Sequence, residues 1–530
     1  MPIHASLRTN LYKDSVALMR ISQLAVARTG VRRATLLMGT RGNKDLLAQA
    51  GLLQPAVRDA QPSDIMIVTE DDSSDAIAAA TREIQSLIAG EEPKRDGKQA
   101  ADLPLRSIAA AAAVATDANL AQISVPGPYA AAEALKALRR GLNVFLFSDN
   151  VPLAQERAIK ELALRKNLLV MGPDCGTAII RGVPLGFANV VRRGCVGLVG
   201  ASGTGLQEVT CQIHRLGEGV SHAIGTGSRD VYEEIGGTTM LQALDLLAAD
   251  NGTKVIVLVS KPPSPAVQKR VLSRLAAIEK PVVVCFLGSD TTDTSGARIS
   301  VAATLQDAAV KAVALARGNR ADHAAEAEPR LDAVAPEFAP SQRYIRALYS
   351  GGTFCSEAQV VWRRSGIDAY SNAAIDTLHR LPDGTRSREH SAIDLGGDEF
   401  TVGRPHPMID PRMRIERLLQ EATDPAVAVI VLDVVLGYGS HQDPAGALAP
   451  AIQAAKEIAA REGRHLSIIC FVCGTEEDPQ RLSVQQQKLQ EVKARLASSS
   501  TAAAMLAAAM VTRMAGRATD SGAVKLSANR

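Results

Sequence analysis

Short apolar runs separated by amphipathic stretches recur along nearly the whole chain, and their spacing predicts strands alternating with helices. In the first 92 residues, 35–38 and 66–69 read as strands, and 75–89 sets its apolar residues at helical spacing. This is a small α+β module (1–92). A polar stretch at 91–105, with Lys94, Arg95, Asp96, Gly97 and Lys98 in a row, reads as a linker after it. From 106 the strand-like runs, 123–125, 144–147 and 168–171, are apolar throughout, with helical patterns at 130–140 and 152–166. Strands joined by helices of this length need right-handed crossovers, which gives a parallel sheet covered on both faces. Strands buried on both faces need not alternate, as observed here. The pattern predicts a Rossmann-like domain over 106–193.

A second α/β unit (194–316) opens on strand 196–199, a glycine-rich turn and helix 206–216, with later strands at 255–259 and 282–287. After an Ala-, Glu- and Pro-rich linker (317–342), a third unit (343–515) repeats it, and 516–530 is expected to be a tail. Val255-Ile256-Val257-Leu258 recurs letter for letter at Val429-Ile430-Val431-Leu432. Val284-Cys285-Phe286-Leu287-Gly288 is echoed by Ile469-Cys470-Phe471-Val472-Cys473-Gly474. Tyr349-Ser350-Gly351-Gly352-Thr353 stands where the glycine turn stands in the second unit. Three matches in the same order indicate a duplication with loop insertions.

Composition adds exclusions. At 530 residues the chain is too long for one core, and 46% hydrophobic with 22% charged residues is a globular balance. Lys+Arg 59 against Asp+Glu 56 gives no electrostatic case for nucleic acid, and 3% aromatics leave little for base stacking. The N-terminus has no basic segment followed by an apolar one, and no run approaches the ~18 apolar residues of a membrane span. A cytoplasmic protein without membrane contact is expected. The seven cysteines are scattered, several in apolar runs, as buried thiols in a reducing compartment would be. Cys470 and Cys473 have redox-motif spacing, but their apolar setting favours core packing. No cluster has metal-ligand spacing, so no metal site is expected.

The chemistry is expected at the glycine turns. Gly200-Ala201-Ser202-Gly203-Thr204-Gly205 lies between a strand and a helix, where glycines admit a close ligand and the helix start offers unpaired N–H groups and positive potential. No Lys-Ser/Thr follows, so it is not a Walker loop, and its glycine spacing is not the dinucleotide fingerprint. With Gly351, Gly352 and Thr353, two helix starts from similar units would address one anion through Ser202, Gly203, Thr204, Gly205 and their counterparts.

These segments resemble the α subunit of succinyl-CoA synthetase followed by the C-terminal domain of its β subunit. The resemblance rests on Gly172-Pro173-Asp174-Cys175-Gly176, on 197–204 and on Ile393-Asp394-Leu395-Gly396-Gly397. The N-terminal module and Gly403-Arg404-Pro405-His406-Pro407-Met408-Ile409-Asp410-Pro411 are similar to the FdrA branch, over essentially the whole chain. The resemblance implies a CoA-binding-type domain at 106–193 and two flavodoxin-like ligase domains, with two helix N-termini pointed at a transferred phosphate. The sequence departs from the synthetases where they carry phosphate on a histidine, since 288–297 contains none. Their steadying acidic residue is replaced by Lys261, in Ser260-Lys261-Pro262-Pro263. No ATP-grasp domain is recognisable.

The FdrA resemblance implies a carbamoyltransferase subunit converting oxalurate and phosphate to oxamate and carbamoyl phosphate in allantoin breakdown, with companion subunits and in an oligomer. The substrates would be small acyl or carbamoyl compounds with phosphate. No cofactor is certain, and CoA is a candidate ligand. Expected helpers are Lys261, Arg404, His406 between two prolines, and His441 at a strand's carboxyl end. Cys175 is expected to pack, and Asp394 to cap or line a turn. The alternatives are an acyl-CoA ligase-like enzyme working with partners, and a non-catalytic assembly subunit.

Overall fold

The structure, a computed structural model, describes residues 2–11, 13, 15–49, 51–89, 105, 107–289, 298–321, 338–401 and 404–527. It divides into two units, Met1–Leu105 with Asp398–Ile409, and Arg106–Gly397 with Asp410–Arg530.

The first unit runs β1 (Ile3–Arg8), α1 (Ser15–Thr29), β2 (Arg33–Met38), α2 (Arg41–Gln49), α3 (Pro55–Arg58), β3 (Ile65–Glu70) and α4 (Ser74–Ala89). Its antiparallel sheet has the order β1-β3-β2. The central strand β3 is buried on both faces, which explains its unbroken Ile-Met-Ile-Val. Leu18, Ile21, Ala25 and Ile84 pack with Ile65 and Ile67, whereas Leu47, Leu52 and Val57 pack with Met66 and Val68.

The second unit begins with α5 (Ile108–Val114), β4 (Leu120–Ile123), α6 (Gly127–Arg139), β5 (Asn143–Leu146), α7 (Leu153–Lys166) and β6 (Val170–Met171), whose strands form a parallel sheet β4-β5-β6. A hairpin, β7 (Thr177–Ile180) and β8 (Val183–Gly186), follows and corrects the all-parallel expectation. It lays an antiparallel edge on the next sheet through β7. Its turn residues Arg181 and Gly182 both have positive φ, as a tight two-residue turn requires.

Two five-strand repeats follow. The first comprises β9 (Arg193–Gly200), α8 (Gly203–Arg215), β10 (Val220–Gly225), α9 (Thr238–Ala249), β11 (Val255–Ser260), α10 (Pro265–Ala276), β12 (Val282–Phe286), β13 (Ile299–Val301) and α11 (Leu305–Ala316). The second comprises β14 (Tyr344–Tyr349), α12 (Gly352–Arg364), β15 (Ser391–Asp394), α13 (Asp398–Thr401, grouped with the first unit), α14 (Arg412–Ala422), β16 (Val427–Val435), α15 (Pro444–Arg461), β17 (Ser467–Cys473), α16 (Leu482–Glu491), β18 (Arg495–Ala497) and α17 (Ser500–Ser527). The sheet orders correspond strand for strand, β13-β12-β11-β9-β10 and β18-β17-β16-β14-β15, and both are flavodoxin-like. The repeated tetrapeptide lies in β11 and β16, and the second echo in β12 and β17. The linker expected at 317–342 falls mostly outside the described residues. The tail expected from 516 instead continues α17 to Ser527.

Helices α8 and α11 cover a face of the first repeat's sheet, α12 and α17 cover one of the second, and the two pairs pack on each other. Hence every residue from Thr204 to Ile213, and from Thr353 to Trp362, is buried. The layer brings the starts of α8 and α12 together.

Candidate functional site

Both helix starts lie at the carboxyl ends of parallel strands, where open α/β sheets gather ligands. They touch. Ser202, the N-cap of α8, accepts a hydrogen bond from Gly205 N at 3.0 Å, and its Oγ lies 2.5 Å from Thr353 Oγ1 of α12. Gly205 must be glycine, because a Cβ there would collide with the Ser202 hydroxyl and lie 3.0 Å from Thr353 Cγ2. Reciprocally, Thr204 packs on Gly351, the N-cap of α12. The second helical residue of each repeat thus rests on the other repeat's cap. The N–H groups of Gly203, Thr204, Gly352 and Thr353 have no hydrogen-bond partner among the described residues, as the first turn of a helix leaves them. Gly203 and Gly352 are half-buried between buried neighbours, so the access lies at these two positions.

The two tips differ in charge. Strand register places Asp394 beside Tyr349 where the first repeat has Gly225 beside Gly200. Asp394 Oδ2 and Lys261 Nζ both approach Gly352, at 2.6 and 3.0 Å from the position a Cβ would take. Lys261 comes from the end of β11 and is exposed; Asp394 is buried. The backbone of Asp394 is pinned on both sides by Asn372, with bonds of 2.9 Å to its N–H and its carbonyl. Its Oδ1 accepts from Gly396 N, so the turn role expected for Asp394 coexists with a position at the tip. Facing Gly203 is the turn at Gly176 and Thr177.

A buried ion pair fixes the second tip. Asp433, on β16, accepts from Ser350 N at 2.9 Å and from Ser350 Oγ, directly before Gly351. Arg414 on α14 contacts the Asp433 carboxylate at 3.0 Å and its carbonyl at 2.7 Å. Asp433 sits inside an apolar strand run, where a lone aspartate is the one signal that could have found it.

The expected anion-binding residues, Ser202 to Gly205 and Gly351 to Thr353, are therefore brought together with Lys261. His441 is not among the nearest neighbours of the tips. Its Nδ1 accepts from Asp443 N at 3.0 Å, and its loop packs on Phe187 and Ala188. Arg404 and His406 lie in the segment grouped with the first unit, where His406 Nδ1 accepts from Met408 N. The loop in which the synthetases keep their histidine lies, at 290–297, outside the described residues.

The thiols are packed rather than poised. Burial pushes Cys175, Cys355 and Cys470 up to about 12, and Cys473 well above the usual thiol range. Cys470 and Cys473 lie three apart on β17 and so point to opposite faces, which precludes a disulfide between them. Iodoacetamide at pH 8 is expected to leave these four unmodified in the folded protein and to label them in urea, read by mass spectrometry. Labelling of Cys470 and Cys473 without denaturant would revive a redox role.

The chain is similar to several known proteins. The family model described as CoA-ligase matches residues 348–510, and that described as CoA binding domain matches 192–288. The latter falls within the first flavodoxin-like repeat rather than on 106–193. The model described as AllF, heavy metal-associated domain, matches residues 1–104. That span holds no cysteine and one histidine, His4, and among the described residues no group of three His, Cys, Asp or Glu could hold a metal ion, so a heavy metal does not fit. The YahF protein of Escherichia coli strain K12 is 46% identical over 509 residues, covering 96% of this chain and 98% of YahF. The ADP-forming succinate–CoA ligase alpha subunit of Aquifex aeolicus is 28% identical over 181 residues, covering 33% of this chain and 58% of that protein. The solved structure of PH0766 from Pyrococcus horikoshii OT3 aligns at TM-score 0.32 with 15% identity, over 79% of this chain and 88% of its own. No helix among the described residues is long and apolar enough to cross a membrane.

Proposed function

We propose, from the premise that the chain belongs to the FdrA family of succinyl-CoA synthetase-like proteins, that it is the component of a carbamoyltransferase in which two touching helix tips hold an acyl phosphate. The observation that carries this reading is the contact between Ser202 and Thr353, which joins two helix tips with four unpaired backbone N–H groups, the second tip having Lys261 beside Gly352. Such donors stabilise phosphate oxygens and the oxyanion of an attacked carbonyl without a covalent carrier. A phosphate oxygen bonds to the carbamoyl carbon of oxalurate and its bond to the oxamoyl nitrogen breaks. That nitrogen takes the phosphate's proton, which gives carbamoyl phosphate and oxamate. Lys261 offsets the added charge. Asp394 offers an acceptor at the same tip, and a carbamoyl group has N–H donors to meet it where a plain acyl group has none. The transferase works with companion subunits in the cytoplasm.

Calorimetry with carbamoyl phosphate and acetyl phosphate, which differ as NH2 and CH3, tests this. The wild type is expected to prefer carbamoyl phosphate. Lys261→Met should weaken both ligands about tenfold, and Asp394→Asn should remove the preference while sparing acetyl phosphate. Failure of both ligands to bind, alone or with companion proteins, would overturn the proposal. The match of the CoA-binding family over 192–288 supports a second reading, an acyl-CoA ligase-like enzyme with partner subunits. CoA binding at micromolar affinity with no carbamoyl preference would select it.

A further inference from the structure

The duplication places a glutamate at the same point of both central helices. Glu208 is the sixth residue of α8 and Glu357 the sixth of α12, each about 8 Å below its tip. Both side chains are buried, at 0% and 1% exposure, and each reaches across to the other repeat. Glu357 Oε1 accepts from Leu305 N at 2.7 Å, capping α11 of the first repeat. Glu208 Oε1 accepts from Ser500 N at 3.3 Å, at the start of α17 in the second. The two carboxyl groups converge there, because Glu357 Oε1 also accepts from Thr501 Oγ1 at 2.8 Å, one residue further on.

Each glutamate leaves an oxygen unsatisfied. Glu208 Oε2 and Glu357 Oε2 are both buried without a hydrogen-bond partner, and the Ser500 hydroxyl stands beside the Glu357 carboxyl. An ionised Glu357 would add an uncompensated charge to a low-dielectric layer, whereas a retained proton removes it. For Glu208 the neighbours offer relief, since Gln212 Nε2 donates to its Oε1 at 2.8 Å and the Arg215 guanidinium, with buried nitrogens that have no hydrogen-bond partner, stands 4.0 Å away. Among the described residues no cation pairs with Glu357, and Asp307 on α11 is committed to Lys311 at 2.8 Å. The part of α17 that meets the pair brings Ser500 and Thr501. Tyr349, Cys211 and Cys473, which also face it, are held neutral by burial.

We propose that Glu357 is a positioning residue that holds a proton, and that this proton keeps α8 and α12 at the spacing the anion site needs. This rests on the proposed anion site for its functional consequence but not for the proton itself. Burial pushes the Glu357 carboxyl up to about 7, with the Glu208 charge adding to the effect, so the proton is lost as pH rises through neutrality.

Two measurements on the full chain separate the parts. Sulfate, which does not titrate between pH 6 and 8.5, serves as the probe in calorimetry. Wild-type affinity is expected to fall about fivefold or more across that range, and Glu357→Gln, which keeps the cap acceptor but carries no charge, should flatten the dependence. A pH dependence unchanged by Glu357→Gln overturns the proposal. Difference infrared spectroscopy reads the proton directly, as a protonated-carboxyl carbonyl band at pH 6 that vanishes by pH 8.5 and is missing from Glu357→Gln. If that band is present but sulfate never binds, the anion site is wrong and the Glu357 proton stands. If the band is absent, the proton is wrong whatever sulfate does.

Discussion

Gly351→Ala is expected to eliminate phosphate binding and to destabilise the second unit by about 1–3 kcal/mol, the usual cost of overpacking a tight contact. A Cβ at Gly351 would come within 2.6 Å of Thr204 Oγ1 and 3.0 Å of Thr204 Cβ, closer still to its Cγ2. Threonine is branched at Cβ and stands on the first turn of α8, so no rotamer removes all three contacts. Relief requires the two tips to part, and the paired N–H groups part with them. Gly203→Ala is the matched control for stability, since its nearest neighbour would be Thr177 Oγ1 at an ordinary 3.5 Å. Its unfolding midpoint should stay near wild type. Trp362, the single tryptophan, is fully buried in α12 and bonds Ala504 O on α17, so its fluorescence reports this layer in a urea titration. An unchanged midpoint and intact phosphate binding in Gly351→Ala would show that the tips do not depend on their contact.

Asp433→Ala should have a larger effect, about 3–5 kcal/mol, because it removes one partner of a buried ion pair and leaves the other charge uncompensated. Arg414 is 3% exposed and Asp433 fully buried, so water cannot replace the lost carboxylate. The same change frees Ser350, whose N–H and hydroxyl both bond Asp433, and with it the turn that leads into Gly351. Loss of phosphate binding should therefore accompany the loss of stability. The double variant Asp433→Leu with Arg414→Met removes both charges and should recover most of the stability without restoring the turn, which a urea titration and calorimetry on the same samples would read separately. Recovery of binding in the double variant would mean that Ser350 needs no anchor.

The duplication was legible because strands buried on both faces repeat their letters: Val255 to Leu258 and Val429 to Leu432 occupy corresponding strands in sheets of the same order. The hairpin at Thr177–Gly186 was missed, although the pair Arg181-Gly182 between apolar runs carries its signal. Asp433 was hidden for a related reason, one polar residue in a nine-residue apolar strand. Arg404 and His406 were legible as helpers through the two prolines that pin their loop, and that segment groups with the N-terminal unit.

The sequence by itself determined the alternating strands and helices, the repeat, and the two glycine turns with unpaired helix starts, because all of these follow from local periodicity and backbone freedom. Tertiary structure alone decided that Thr204 rests on Gly351 and Thr353 on Ser202, that Lys261 and Asp394 share one tip, and that Glu208 and Glu357 exchange caps between repeats. These contacts join residues that are far apart along the chain, and the packing of two sheets through one helical layer creates them.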